Sequence, residues 1–302
     1  MSTPARPFLT LDERVDYLRR KNYLFDSIPS ERAQERLAGV NFHYLLGYAR
    51  NYRLLGSTGR VPTDDALDRV FDIVDADREL AISVFRGLRM LEWKLRALFV
   101  EHHCALFSPD ACYLKANHYR VFKADLPPLA GILEKHIRRS REPYLVEHFA
   151  NSDDAGALPV WAVVDTWSFG ALSRVICETV PATCARQSDE RRLWKEVATS
   201  LGVSATTVMG KLEAMTVLRN LVAHHSRLWM RPTAYTPKIP KVFPESLRSS
   251  VQPKSMYGAF LTLAEMLGPR DEGRALLAEI DKILSDNAAF RLGITHPIAK
   301  AS

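Results

Sequence analysis

The chain has 302 residues, 47% of them hydrophobic and 25% charged, which supplies a full-sized core and excludes a disordered tail. Lys and Arg outnumber Asp and Glu by 41 to 35, and the net charge of +6 mildly favours polyanionic partners such as nucleic acids. The four cysteines show no C-x-x-C spacing and are too few to staple this chain, so we expect a reducing, cytoplasmic location. We also expect no secretory signal and no membrane span, because no long uncharged apolar segment is present.

Apolar residues recur at helical spacing along most of the chain, and alternating apolar-polar runs are scarce, so the sequence predicts an all-α fold. A first helix is predicted to begin after Thr10, and a second to span about 31–55. A Gly-rich turn at 56–59 followed by Pro62 interrupts this pattern. Residues 1–60 are therefore predicted to form an N-terminal helical arm.

Residues 61–230 are predicted to form a helical core. An apolar stripe through 75–106 predicts one long central helix. Further helices are predicted over 127–149, 160–178, 189–200, 204–229 and, beyond the core, 255–286.

Residues 231–302 are predicted to form a basic, proline-rich loop followed by a C-terminal helix packed on the core. Five prolines lie within 231–254, so the sequence predicts that this segment is not helical and forms an extended crossing loop. Basic side chains accompany them, and a phosphate backbone is the partner that such residues suit. The predicted RNA-binding residues are Arg227, Arg231, Lys238, Lys241 and Arg248.

The predicted helix over 204–229 carries the only stretch with a clear chemical character. At about 100° per residue, its apolar side chains occupy one half of the helical wheel and its polar side chains the other. Arg219, Asn220 and His224 fall on the polar half, whereas His225 falls among the apolar residues. We therefore predict His224 to be exposed and chemically active, and His225 to pack in the interior.

Asn220 and His224 lie one helical turn apart, but Arg219 is about 140° around the axis from His224. One helix alone therefore aligns the arginine and the histidine poorly. Two copies whose polar faces meet about a two-fold axis would bring Arg219 of one chain to His224 of the other. The sequence thus predicts a homodimer with composite sites.

These residue types suit cleavage of RNA through its own 2′-hydroxyl group. An imidazole accepts or donates a proton near neutral pH, and a guanidinium holds the negatively charged phosphate of the transition state. Asn220 would orient the imidazole or bind a phosphate oxygen. We expect no metal and no cofactor for this chemistry. The simpler interpretation is a solvated helix face, since chance also pairs Arg141 with His148 at a similar spacing.

Three blocks of the sequence are similar to one protein family. Residues 219–229, RNLVAHHSRLW, closely resemble the signature of the bacterial abortive-infection proteins of the Abi-D/Abi-F type. The block 159–173, PVWAVVDTWSFGALS, is also typical of them, as is DREL at 77–80 leading into LEWKLR at 91–96. Met230 stands where the family usually has Asn.

That family resembles a branch of the helical HEPN superfamily, many members of which are metal-independent ribonucleases that work as dimers. The resemblance implies a HEPN-like helical bundle in which Arg219, Asn220 and His224 are the motif positions. It also implies phage defence by halting the infected cell. The leading hypothesis is therefore a ribonuclease toxin or defence effector that cuts RNA and is held in check by a partner or by an RNA.

Other features receive simpler interpretations. The run His102-His103-Cys104 lacks a second ligand pair at zinc spacing, so we expect no metal there. Trp161, Trp167 and Phe169 are interpreted as core residues rather than as base-stacking ones. Two further functions remain open, a non-catalytic RNA-binding module and a helical adaptor that binds only protein.

Overall fold

A computed structural model describes residues 8–23, 29–57, 66–107, 111–121, 127–182, 191–234 and 238–297. The predicted all-α class is confirmed, since the described residues form helices, 3₁₀ turns and two isolated β-bridges but no strand. The helices are α1 Leu11–Arg20, α2 Ser30–Ala38, α3 Phe42–Gly56, α4 Ala66–Leu106, α5 Leu129–Arg139, α6 Pro143–Asn151, α7 Val160–Val163, α8 Phe169–Glu178, α9 Leu193–Leu201, α10 Val208–Ala223, α11 Glu245–Ser249, α12 Met256–Leu267, α13 Glu272–Ser285 and α14 Ala288–Thr295.

The 41-residue helix α4 is the axis of the described fold. It packs against α3, α8, α9, α10, α12, α13 and α14. A buried stripe at helical spacing explains this central position, because each of its side chains removes apolar surface from water. The stripe consists of Leu80, Val84, Leu88, Leu91 and Leu95.

Several predicted helices are divided by local capping signals. The predicted helix over 31–55 is α2 and α3, because the Asn41 side chain accepts a hydrogen bond from Tyr44 N at 3.1 Å and starts a new helix. The predicted helix over 255–286 is α12 and α13, separated at Gly268, whose φ of +113° is open to glycine.

Similar breaks occur elsewhere in the described chain. The predicted helix over 127–149 is α5 and α6, and Pro143 opens the second of them. The predicted helix over 160–178 is interrupted before α8, where the Ser168 hydroxyl accepts from Ala171 N at 3.2 Å. The loop over 231–254 also contains the short helix α11, which the prolines had led us to exclude.

In the part of the chain that the structure describes, no helix combines the length and the apolar character needed to cross a bilayer.

Candidate functional site

The candidate site lies where α10 ends. The helix ends at Ala223, well before the predicted end at residue 229, and His224 caps it. His225 then adopts a φ of +51°, a left-handed conformation that closes the helix in a Schellman turn. The two hydrogen bonds of that turn run from His225 N to Val222 O (3.1 Å) and from Ser226 N to Leu221 O (2.8 Å).

A buried carboxylate on α4 fixes the chain after this turn. Asp77 is 3% exposed and accepts hydrogen bonds from the Tyr48 hydroxyl at 2.5 Å, from Leu228 N at 3.1 Å and from Trp229 N at 3.2 Å. Burial raises the pKa of Asp77 from 3.8 to about 6, while these three donors and nearby Arg227 act in the opposite direction. Asp77 therefore determines how the segment after His224 lies against α4. Sequence reasoning noted it only as part of a family block.

Arg227 belongs to the same buried network. Its guanidinium carbon lies 5.4 Å from the centroid of the Tyr48 ring, in a cation–π arrangement. A Cβ at position 47 would lie 2.5 Å from Nη1 of Arg227, so the glycine there leaves room for this placement of the guanidinium. Burial lowers the pKa of Arg227, whereas the charges of Tyr48 and Asp77 raise it. The helical position assumed for Arg227 is wrong, because α10 has already ended; its contact with RNA stays a prediction.

The end of the signature is anchored to α14. The buried Trp229 ring stacks on Tyr48 with centroids 6.0 Å apart, and its indole N–H donates to Ala289 O at 3.1 Å. Met230 N donates to Gly293 O at 3.2 Å. Met230 has a φ of +53°, a left-handed conformation that Asn adopts more readily than Met.

The three predicted catalytic residues lie together at the end of α10. Asn220 and His224 are exposed, and His224 N donates to Asn220 O at 3.0 Å, which keeps the two residues one turn apart. Arg219 is half-buried, and its Nη1 donates to the Asn220 side-chain oxygen at 3.4 Å. The prediction that His225 packs in the interior is wrong, because the turn leaves the helical wheel and exposes this side chain.

An open groove of about 980 Å³ runs beside the turn, between α3, α4 and the end of α10. Ile82 and Phe85 line it and are 71% and 38% exposed. Further along the same face of α4, Trp93 is 60% exposed beneath the Arg89 guanidinium. The residues Ile82, Phe85 and Trp93, here called the α4 stripe, form an apolar strip on the surface that ends next to His225.

The predicted RNA-binding residues of the loop differ in their solvent exposure and in their hydrogen-bond partners. Arg231, Lys238 and Lys241 are exposed. Arg248 is half-buried and donates to Phe243 O at 3.1 Å and to the Glu245 carboxylate.

The aromatic residues of the 159–173 block also separate into two classes. Trp167 and Phe169 are 1% exposed, as a core position requires. Trp161 is 60% exposed, so its assignment to the core is wrong. It stands in the first turn of α7, which is only four residues long, and the helical spacing used to place it does not extend that far.

The described residues that could hold a metal ion lie elsewhere, at the other end of α4. They are His103, Cys112 and His118.

Comparison with known families decides the relationship of the chain. Residues 35–230, which include α4, α10 and the whole signature, match the family described as Abi-like protein. The chain belongs to the Abi-like protein family. That membership confirms the resemblance read from the three sequence blocks, and it implies a role in abortive infection, the phage defence for which such proteins are named. Comparisons with curated proteins and with solved structures gave no significant match.

Proposed function

We propose that this Abi-like protein is a metal-independent endoribonuclease of the HEPN type. The observation that carries the proposal is an exposed histidine, His224, one turn from the hydrogen-bonded pair Arg219 and Asn220 at the end of α10. A solvated helix face needs no such pairing, and it needs no buried carboxylate to fix the chain that follows it. The Asp77 contacts therefore favour the chemical interpretation over the simple one.

The proposed reaction uses groups that the site holds. His224 accepts the proton of a ribose 2′-hydroxyl, and the 2′ oxygen attacks the adjacent phosphorus. The bond from phosphorus to the 5′ oxygen breaks, that oxygen takes up a proton from solvent water, and His224 returns its proton to solvent. The products are a 2′,3′-cyclic phosphate and a 5′-hydroxyl. Arg219 stabilises the extra negative charge on the phosphate, and Asn220 orients Arg219.

A second copy of the chain would complete the site. Arg219 and His224 project from different sides of α10, so a single chain separates the phosphate-binding group from the base. Two-fold pairing of the α10 ends would bring them together across the dimer. The α4 stripe beside the turn supports this arrangement, because exposed apolar patches mark surfaces that bind another protein.

The exposed cations beyond α10 suit the RNA backbone. Arg231, Lys238 and Lys241 are on the surface and follow the signature closely in the chain. Neutralising phosphates releases counterions, so we expect RNA affinity to fall steeply with salt. Reversing the charges of Lys238 and Lys241 should flatten that salt dependence, whereas reversing Arg248 should change it less, because Arg248 already pairs with Glu245.

The direct test is RNA cleavage by the purified protein in EDTA. Single-stranded RNA should yield fragments that end in a 2′,3′-cyclic phosphate, and His224→Ala should lower the rate about a thousand-fold. A matched control is His148→Ala, which removes the histidine of the chance Arg141 pair and should leave the rate unchanged. Intact RNA with folded, dimeric wild-type protein would overturn the proposal.

A non-catalytic RNA-binding module is the second candidate, and the exposed loop cations favour it. In that case His224→Ala would leave both RNA affinity and the effect on infected cells unchanged. Charge reversal at Lys238 and Lys241 would weaken both. The same set of variants therefore separates the two functions.

A further inference from the structure

Three side chains with metal-binding atoms meet near the end of α4, far from the α10 signature. His103 lies in the last turn of α4, Cys112 in the 3₁₀ turn Ala111–Leu114 and His118 in the 3₁₀ turn Ala116–His118. One imidazole nitrogen of each histidine and the cysteine Sγ all lie within 4.8 Å of one another. They come from three separate elements, so helical periodicity alone does not bring them together.

The distances match those of one shared ion. His103 Nε2 lies 3.1 Å from His118 Nε2 and 3.8 Å from Cys112 Sγ. Tetrahedral zinc, with bonds of about 2.0 Å to nitrogen and about 2.3 Å to sulfur, separates two nitrogens by about 3.3 Å and a nitrogen from a sulfur by about 3.5 Å. The two distances from His103 Nε2 therefore differ from those of a zinc site by only a few tenths of an ångström.

The surroundings are those of a closed, apolar site. His103 and His118 are 0% and 7% exposed, and their rings contact Phe99, Phe107 and Tyr119. Burial lowers the pKa of His103 to about 3 and that of His118 to about 4, so both rings are neutral and retain a lone pair at neutral pH.

We propose that His103, Cys112 and His118 bind one borderline transition-metal ion, for which Zn²⁺ is the best match, with a water molecule as fourth ligand. Imidazole and thiolate are the ligands that zinc prefers in proteins. On binding, the Cys112 thiol releases its proton to solvent and ligates as the thiolate.

The ion would lie beside buried histidines and far from the α10 signature, so its role would be to hold the fold together. It would tie the end of α4 to the segment 111–121, which is itself held to the end of α8 by hydrogen bonds from Arg120 N to Glu178 O at 2.7 Å and from Val180 N to His118 O at 3.0 Å. The stretch of α4 between Asp77 and His103 is about 39 Å long at 1.5 Å per residue. The metal therefore takes no part in the chemistry at His224.

Sequence analysis missed this site because it tested His103 only with its neighbours His102 and Cys104. The structure directs His102 to Ser200 Oγ at 2.8 Å. It brings His103 instead to two residues of the following loop. No standard zinc spacing relates the three ligands, so only the folded chain reveals them.

Metal content and cobalt spectroscopy test the proposal on untagged, full-length protein purified under reducing conditions. Mass spectrometry should find about one zinc per chain. Cys112→Ser and His118→Gln should lose it, while the matched variants Cys104→Ser and His102→Gln keep it. After chelation, Co²⁺ should give a thiolate charge-transfer band and the visible bands of a tetrahedral ion. Zn²⁺ should raise the melting temperature of the stripped protein by about 5 °C or more.

The alternative is a metal-free cluster in which one imidazole donates its Nε2–H to the other. Stripped wild-type protein that shows neither the cobalt thiolate band nor a thermal shift with zinc would overturn the proposal. So would zinc that remains stoichiometric in both Cys112→Ser and His118→Gln. The cobalt spectrum of the wild type decides the matter even if a variant fails to fold.

Discussion

The two buried polar clusters on α4 are satisfied in opposite ways. At one end, Asp77 is an acceptor that meets three protein donors, the Tyr48 hydroxyl and the N–H groups of Leu228 and Trp229. At the other end, His103 Nε2 lies 3.1 Å from His118 Nε2 and 3.8 Å from Cys112 Sγ. The first cluster is complete within the chain, and we propose that the second binds a cation. One long helix thus carries a hydrogen-bonded cluster that needs no ion at one end and a proposed metal-dependent cluster at the other.

Removing the Asp77 carboxylate should have the largest effect on stability. Asp77→Ala leaves the N–H groups of Leu228 and Trp229 buried without an acceptor and removes the carboxylate partner of the Tyr48 hydroxyl. We expect a loss of about 3–5 kcal/mol in the free energy of unfolding. Urea denaturation should give the same loss in zinc and in EDTA, because this end needs no ion. Asp75→Ala is the matched control, since Asp75 pairs with Arg78 on the surface. Its cost should stay below about 1 kcal/mol.

The charge state of Asp77 should also appear in the pH dependence of stability. Because its pKa is about 6 when folded and 3.8 in its ordinary state, the folded protein holds this proton more tightly. The stabilisation of the folded state by this proton is complete below pH 3.8 and is lost as the pH rises to about 6. The free energy of unfolding changes by about 3 kcal/mol over this range. Subtracting the unfolding free energy of Asp77→Asn from that of the wild type cancels the other groups. That difference should fall from pH 4 to pH 6; a rise would show that the three donors outweigh burial.

The His103 end should respond to zinc where the Asp77 end does not. In zinc at about one hundred times its dissociation constant, we expect Cys112→Ser to cost roughly 2–3 kcal/mol relative to wild type. In EDTA the two proteins should differ by less than about 1 kcal/mol, since a serine replaces a thiol of similar size. Equal costs in both buffers would remove the contrast between the two ends.

The turn after α10 should yield a smaller gain. His225 adopts a φ of +51° at a position that glycine commonly occupies. We expect His225→Gly to stabilise the protein by about 1 kcal/mol, because glycine adopts this conformation without steric cost. Thermal unfolding measures the change, and Val222→Gly, inside α10, should shift stability in the opposite direction.

The sequence was most informative where local physics decides the structure. The start of the first helix after Thr10 and the buried apolar residues along α4 were predicted and are present. The end of α10 was missed, because it depends on an acceptor, Asp77, that is far away in the chain. His225 was misplaced for the same reason, since a helical wheel cannot apply beyond the end of the helix.

The candidate site was predicted in composition and only partly in geometry. Arg219, Asn220 and His224 lie in the last turn and cap of α10, where Arg219 Nη1 donates to the Asn220 side chain, and their joint role in catalysis stays a prediction. Arg227 was predicted to lie within the helix over 204–229, but it follows the end of α10 and lies half-buried beside Tyr48 and Asp77. Contacts between distant segments decide such positions, and a single sequence does not display them.

A heterodimer of two inactive variants tests the composite site most directly. Arg219→Ala and His224→Ala chains are co-expressed with different tags, and the mixed dimer is purified through both. If Arg219 of one chain serves His224 of the other, one of the two sites is intact, and RNA cleavage should recover to about half of the wild-type rate per dimer. Both variant homodimers should remain inactive. A folded mixed dimer as inactive as its parents would contradict the shared site.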